Sequence, residues 1–405
     1  APDVGKQPLL MSFAFNDPDS DPSAITVISD QIDLRVRPAA LQIVNLDSSG
    51  RTPGTDETLA ALLSEDYFEI AGAPFSLGLA GLDSDGEPTA SFGRTTVMPE
   101  VTWSSDLAAP SAGVAGAIAP KISEADQWSA TYDDNQLQTT GVSYSEVGVT
   151  ALSGKIESYL DTDGVADVSV DINERLLGRF VPAWLSVSQE GLAQWSEHTY
   201  RYQGQPGDLS GLSLNIVAKD YAGLPLANYD GDLFKFGTDF SGSITRLDSQ
   251  NTTGAALQYN SDDLDWQRDE DDVDYDADTA AQLDLADVEL TWPRKAVPDA
   301  NDVSQKIDRL RLSPAALTDS DGVCYKPNGD PEESCAPFDF NLSEVQLHYG
   351  RLNADPRASG TTTQVTLPVW VETLTAVNPG QEPAFTFNAL VTADSQTSNT
   401  ELTGF

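Results

Sequence analysis

Val36–Val44 reads VRPAALQIV, and Phe180–Ser188 reads FVPAWLSVS. Both carry Pro-Ala-x-Leu followed by alternating apolar residues. A period of two puts those side chains on one face of an extended strand, whereas a helix would need a stripe repeating every three or four residues. Each stretch is followed by a second match. LDSDGEPTASFG (Leu82–Gly93) aligns with KDYAGLPLANYD (Lys219–Asp230), keeping Asp83 with Asp220, Gly86 with Gly223, Pro88 with Pro225, Ala90 with Ala227 and Phe92 with Tyr229. Ordered matches of this kind define a repeated unit of strand, spacer, strand, Gly-Pro turn and strand. LSPAALTDSDG (Leu312–Gly322) is a fainter echo of the same theme.

The same alternation recurs in QIDLRVRP, LSLNIVAKD, DVELTW and TTTQVTLPVWVETL, with Gly, Pro, Asn and Asp gathered between the runs. Short alternating runs separated by turn residues are the signature of β-sandwiches. DETLAALLSEDYF is the one place where a short helix is expected. The expected fold is therefore all-β, a tandem array of antiparallel, immunoglobulin-like β-sandwich modules. The expected divisions are an N-terminal β segment over 1–35, a first module over 36–178, a second over 179–296 that repeats it, and a C-terminal module over 297–405.

The chain has 405 residues, of which 64 are acidic and 22 basic, for a formal net charge of -42. A field of that sign repels nucleic acid and anionic membrane surfaces, which removes both as partners. Such a surface stays soluble in salty surroundings and attracts divalent cations. No apolar run approaches the roughly 20 residues needed to span a bilayer, so membrane insertion is not expected. The opening APDVGKQPLL reads as a processed or excised start.

Cys324 and Cys335 bracket CYKPNGDPEESC, whose Pro327, Asn328, Gly329 and Pro331 force the chain to turn. A disulfide there suits an exported protein. Zinc is the alternative, but it needs further Cys or His ligands, and His348 is the lone candidate. The disulfide is the expected outcome.

Several segments resemble the MshQ-like family of the MSHA (mannose-sensitive haemagglutinin) type IV pilus biogenesis system, in its C-terminal region. These are VRPAALQI, VSYSEVGVTAL, LLGRFVPAWLSV, YRYQGQP, LPLANYDG, LHYGRL and TLPVWVE, which occur in the family's order from about Asp33 to Glu372. The cysteines that family members often carry before the YxGQP-like segment and near the end have no counterpart here; Trp195 and FNALVTADSQT lie in those regions. The resemblance implies a bacterial extracellular protein linked to a pilus (fimbrium) or to the cell surface. It brings no catalytic residues with it.

With His198 and His348 the only histidines, imidazole-dependent nucleophiles and multi-histidine metal centres have almost no material. Both read as strand residues. Calcium, which takes six to eight oxygen ligands, is the better match to the acids. The main candidate set is Asp262, Asp263, Asp265, Asp269, Asp271 and Asp272, within SDDLDWQRDEDDVDYDAD. Further sets are Asp161, Asp163 and Asp167 in DTDGVAD, and Asp17, Asp19 and Asp21 in NDPDSDP. The Asp-Ser-Asp-Gly stretches at Asp83 and Asp319 lack the later ligands of an EF-hand and are read as β-turns, with Asp capping its own backbone and Gly at positive φ. Trp266 and Tyr275, set among the acids, are candidate platforms for a sugar, whereas Trp184 reads as core.

The expected function is non-enzymatic: adhesion, or display of a binding surface, by an extracellular protein of a pilus-linked system. Its expected partners are pilus or cell-surface components, glycan, or further copies of itself. A self-assembling fibre subunit is the alternative, and a polysaccharide-active enzyme the most distant one.

Overall fold

The computed structural model describes residues 5–16, 25–44, 58–64, 67–89, 92, 101–119, 128–131, 136–159, 169–192, 194–195, 200–210, 213–235, 247–249, 258–259, 265–267, 281–284, 288–354 and 369–387. The fold is all-β, as the alternation predicts. The described residues form one short α-helix, Leu59–Ser64, where one was expected, with the Thr58 hydroxyl accepting the Ala61 N–H.

The chain divides into two compact units, residues 1–183 with 220–234, and residues 184–219 with 235–405. The first edge falls close to the expected module start at residue 179. The stretch expected as a second module, 179–296, is not contiguous in this division, because Asp220–Phe234 belongs to the first unit. Sequence similarity follows the repeat, while compactness follows packing, and here the two part company.

In the first unit a nine-stranded sheet runs in the order Val101–Ala109, Gly148–Ile156, Val170–Val181, Ala40–Val44, Phe75–Leu82, Gln136–Tyr144 and Ile118–Ala119, with Glu69–Ile70 and Trp128–Thr131 as side branches. Alternate residues of these strands, among them Leu41, Ile43, Leu77, Leu79, Leu152, Ile172 and Phe180, meet in one buried apolar cluster. Most ladders are antiparallel, but Ala40–Val44 and Glu69–Ile70 run parallel to Val170–Val181. A hairpin of Gly5–Asn16 and Ile25–Val36 precedes this sheet.

Among the described residues, the second unit holds three four-stranded sheets and one of three strands. Its Trp184–Glu190 and Ser213–Lys219 strands reproduce the repeat in detail. Ala40 pairs with Leu82 in the first copy, and their aligned equivalents Trp184 and Lys219 pair with each other in the second. The aligned aromatics Phe92 and Tyr229 are both fully buried. What the repeat conserves is therefore strand register and one aromatic anchor.

Cys324 and Cys335 are joined in a disulfide. The loop lies against the start of the Trp184–Glu190 strand: Leu185 N–H donates to the Cys324 carbonyl at 2.9 Å and receives Lys326 N–H on its own carbonyl at 3.2 Å. Trp184 is buried, as expected of a core residue, and a Cβ on Gly329 would stand 3.0 Å from its ring. The bond closes a loop between residues 11 apart. Loop-closure entropy sets its effect at about 3 kcal/mol. The Cys324→Ser/Cys335→Ser double variant is expected to lose that much in a denaturant titration.

Candidate functional site

Three of the quoted motifs converge in the second unit. Tyr200–Tyr202, from YRYQGQP, runs parallel to the end of Phe338–His348, with Tyr202 beside His348 and Gln203 N–H donating to the His348 carbonyl at 2.9 Å. After Tyr349, the LHYGRL segment continues as the Gly350–Ala354 strand. It pairs with Val369–Ala376, which carries the end of TLPVWVE, and that strand pairs with Ala384–Phe387. Gly350 is required because a Cβ there would stand 2.5 Å from the Tyr202 ring. The Tyr202 hydroxyl is itself tied to Thr373 Oγ1 at 2.6 Å. His348 lies near the Tyr200 and Tyr202 rings, and burial holds its imidazole below the ordinary histidine value. It acts as a packed strand residue, as the sequence suggests.

The outer face of this three-stranded sheet carries a stack of cations and rings. The Arg294 guanidinium lies 4.4 Å from the Tyr349 ring centroid, Tyr349 and Phe385 are 6.3 Å apart, and Arg351 lies 3.9 Å from Phe385. Each guanidinium meets the negative face of a ring. Glu372 terminates the stack. Its Oε2 accepts from Arg351, with Nη2 at 2.9 Å, and its Oε1 accepts from Asn353 Nδ2 and Trp370 Nε1, both at 3.0 Å. The donors Asn353 and Trp370, followed by Arg351, hold the Glu372 carboxyl below its ordinary range, so it stays ionised. Phe387, opposite Glu372 in the register, is 58% exposed. The result is a cluster of rings and polar groups in which Tyr349 and Phe385 are tilted by 50° to each other, with one exposed aromatic among its described residues.

A second convergence lies inside the first unit. Glu146, from VSYSEVGVTAL, is buried and accepts three backbone N–H groups: Val147 on Oε1 at 2.9 Å, Asn228 on Oε1 at 3.1 Å and Ala227 on Oε2 at 3.1 Å. Asn228, from LPLANYDG, has no exposed surface. It accepts from Val114 N–H at 2.8 Å and donates to the carbonyls of Val114 at 2.7 Å and Val147 at 3.3 Å. Both motifs were visible in the sequence, but neither residue was assigned a role there. Glu146 lies in the bend between the Gln136–Tyr144 and Gly148–Ile156 strands and Asn228 in a loop, so alternation singles out neither.

The Asp-containing turns behave as backbone caps. Asp83 Oδ1 accepts from Asp85 and Glu87 N–H, Asp220 Oδ1 from Ala222 and Leu224, and Asp319 Oδ1 from Asp321 and Val323, all at 2.7–3.0 Å. The following glycines, Gly86, Gly223 and Gly322, have φ of 84, 85 and 83°. Thr318 bridges to Cys324 just as Leu82 bridges to Pro88. The faint third echo thus repeats the turn, although Pro314–Leu317 forms a 3-10 turn instead of the strand found in the first copy. The N–H groups of Glu87 and Asp85 lower the Asp83 carboxyl below its ordinary value. Asp319→Asn, which keeps an acceptor oxygen, is expected to be nearly neutral, whereas Asp319→Ala should lose about 1–2 kcal/mol. Thermal melts of the two variants, with and without calcium, check this, and calcium should not alter the difference.

Among the described residues, no group of three or more His, Cys, Asp or Glu is placed to hold a metal. Asp17, Asp19, Asp21, Asp161, Asp163, Asp167, Asp262, Asp263, Asp269, Asp271, Asp272 and Tyr275 lie outside the described residues. Asp265 and Trp266 fall in the Asp265–Gln267 strand, which pairs with Ala281–Asp284 through Trp266 opposite Leu283.

Residues 146–340 match the family model described as DUF6701, third domain, just under half of the chain. The match takes in Glu146, Asn228 and Tyr202 and stops short of Arg351 and Trp370. No curated protein matches. Among solved structures, the chain is similar to FdeC, described as a broadly conserved Escherichia coli adhesin eliciting protection against urinary tract infections, at 10% identity and a TM-score of 0.30, covering 84% of this chain and 86% of that one. A likeness that slight bears on neither fold nor function.

Proposed function

We propose that this chain is a non-enzymatic extracellular surface protein of a type IV pilus-linked system, whose β units display a binding face for adhesion. The observation that carries this reading is the cluster of Arg351, Trp370, Glu372, Phe385 and Phe387 on one face of the three-stranded sheet. The exposed Phe387 ring fits the apolar face of a pyranose, and the exposed Arg351 guanidinium beside it can donate to sugar hydroxyls. A disulfide-closed loop agrees with an oxidising, exported setting. The ligand is a neutral glycan, since a chain of net charge -42 repels acidic ones.

The test is a glycan array probed with the whole chain in the presence of calcium. Binding to neutral glycans that is lost in Phe387→Ala and Trp370→Ala supports the reading; an array blank for the wild-type chain overturns it. Calcium on the acids from Asp262 onward is proposed as a stiffening ligand. Melting in excess calcium should then give a higher midpoint than melting in EDTA, because a ligand selective for the native state must raise it.

A further inference from the structure

The disulfide loop contains the Asp330–Pro331 bond, an aspartyl-prolyl linkage. Asp330 precedes Pro331, so the bond between them is a tertiary amide, and its nitrogen, once protonated, leaves as a secondary amine. Asp330 is exposed, and its Oδ1 accepts the Glu332 N–H at 2.9 Å, which fixes the side chain over its own backbone. Oδ2 has no hydrogen-bond partner among the described residues. The Asp330 carbonyl oxygen accepts the Glu333 N–H at 3.0 Å, a donor aimed where negative charge would develop on attack at that carbon. Glu333 is held in turn by Asn328, whose N–H and Nδ2 donate to it at 3.1 and 2.7 Å. On the far side, Lys326 Nζ donates to the Pro331 carbonyl. The carboxyl group, its own carbonyl and a donor to that carbonyl thus belong to one turn, built like the turns at Asp83, Asp220 and Asp319 but with proline following the Asp.

We propose that Asp330–Pro331 is a self-cleavage site, giving a two-chain form of the protein whose halves stay joined by Cys324–Cys335. Asp330 Oδ2 attacks the carbonyl carbon of its own residue and forms a C–O bond, closing a five-membered cyclic anhydride. The C–N bond to Pro331 breaks, and its electron pair takes up a proton from solvent, leaving Pro331 as a new amino terminus. One water then opens the anhydride, so that Asp330 ends the upstream chain with two carboxyl groups. The balance is one water consumed, and nothing is oxidised or reduced. The disulfide spans the cut, and the Phe338–His348 strand remains laddered to Gln305–Leu312, so the downstream piece stays in its fold.

The sequence supplies its own controls in Asp17–Pro18, Asp21–Pro22 and Asp355–Pro356. The full chain is incubated at the lowest pH at which circular dichroism still reports it folded, then analysed by intact mass with and without reductant. The expected result is the mass of one added water before reduction, and after it two chains that meet at 330/331. Preset geometry should make this cut at least about tenfold faster than the same bond in urea and than the three control bonds. Asp330→Glu, which would need a larger ring, and Pro331→Ala, which makes a poorer leaving group, should both slow it, and neither replacement enters a buried site. A rate equal to that in urea, no cleavage in the folded chain, or cleavage at the control bonds first would each overturn the proposal.

Discussion

Glu146→Ala is expected to destabilise the first unit by about 3 kcal/mol, because it leaves three N–H donors without their acceptor. The loss should appear as an earlier denaturation midpoint and as faster hydrogen exchange at Ala227 and Asn228. Glu146→Gln should lie between the two, since its amide oxygen replaces only part of the carboxylate and its NH₂ group faces a donor. The pH dependence follows from burial, which raises the Glu146 carboxyl above its ordinary range despite the N–H donors that pull it down. The folded chain thus binds this proton more tightly than the unfolded chain. Its contribution is full below the ordinary glutamate value of about 4.3 and is lost as pH rises through the raised folded value. The stability gap between wild type and Glu146→Ala should therefore widen as pH falls through that window. A gap that narrows would contradict the assignment.

Gly350→Ala is expected to cost the second unit about 2–3 kcal/mol through overpacking. The new methyl would stand 2.5 Å from Tyr202 Cδ1 and 2.8 Å from Cε1, and the ring is buried with its hydroxyl tied to Thr373. Either the ring turns and breaks that bond, or the Gly350–Ala354 strand shifts away from it. Both routes disturb the cluster around Phe385 and Phe387, so glycan binding should weaken along with stability. The same substitution in a Tyr202→Ala background should cost much less, because the clash has been removed, and the difference is the coupling between the two positions. Equal costs in the two backgrounds would mean that the ring is not what excludes a side chain at 350.

Much of the local structure was legible in the residues. Alternation in VRPAALQIV and FVPAWLSVS identified strands, Gly86 and Gly223 marked the turns, and DETLAALLSEDYF marked the short helix. The reading of Asp83 as a cap followed from the missing later ligands of an EF-hand. The spacing of Cys324 and Cys335 suited the disulfide. The two convergences were not legible, because their members lie far apart in sequence. Glu146 meets Asn228 across 82 residues, and Tyr202 meets Thr373 across 171. Nothing local marks Glu146 as a buried acceptor or Arg351 as the lid on Phe385.

The sequence by itself determined strand and turn, because these depend on φ preferences and on a side-chain period of two, both set by neighbouring residues. Tertiary structure alone decided which strands run parallel, why Gly350 has no side chain, and that Asp220–Phe234 joins the first unit. Those outcomes depend on which surfaces meet, on where a buried carboxylate finds its donors, and on the volume a ring leaves free. Each is a property of residues brought together from distant parts of the chain, and no stretch of sequence carries it alone.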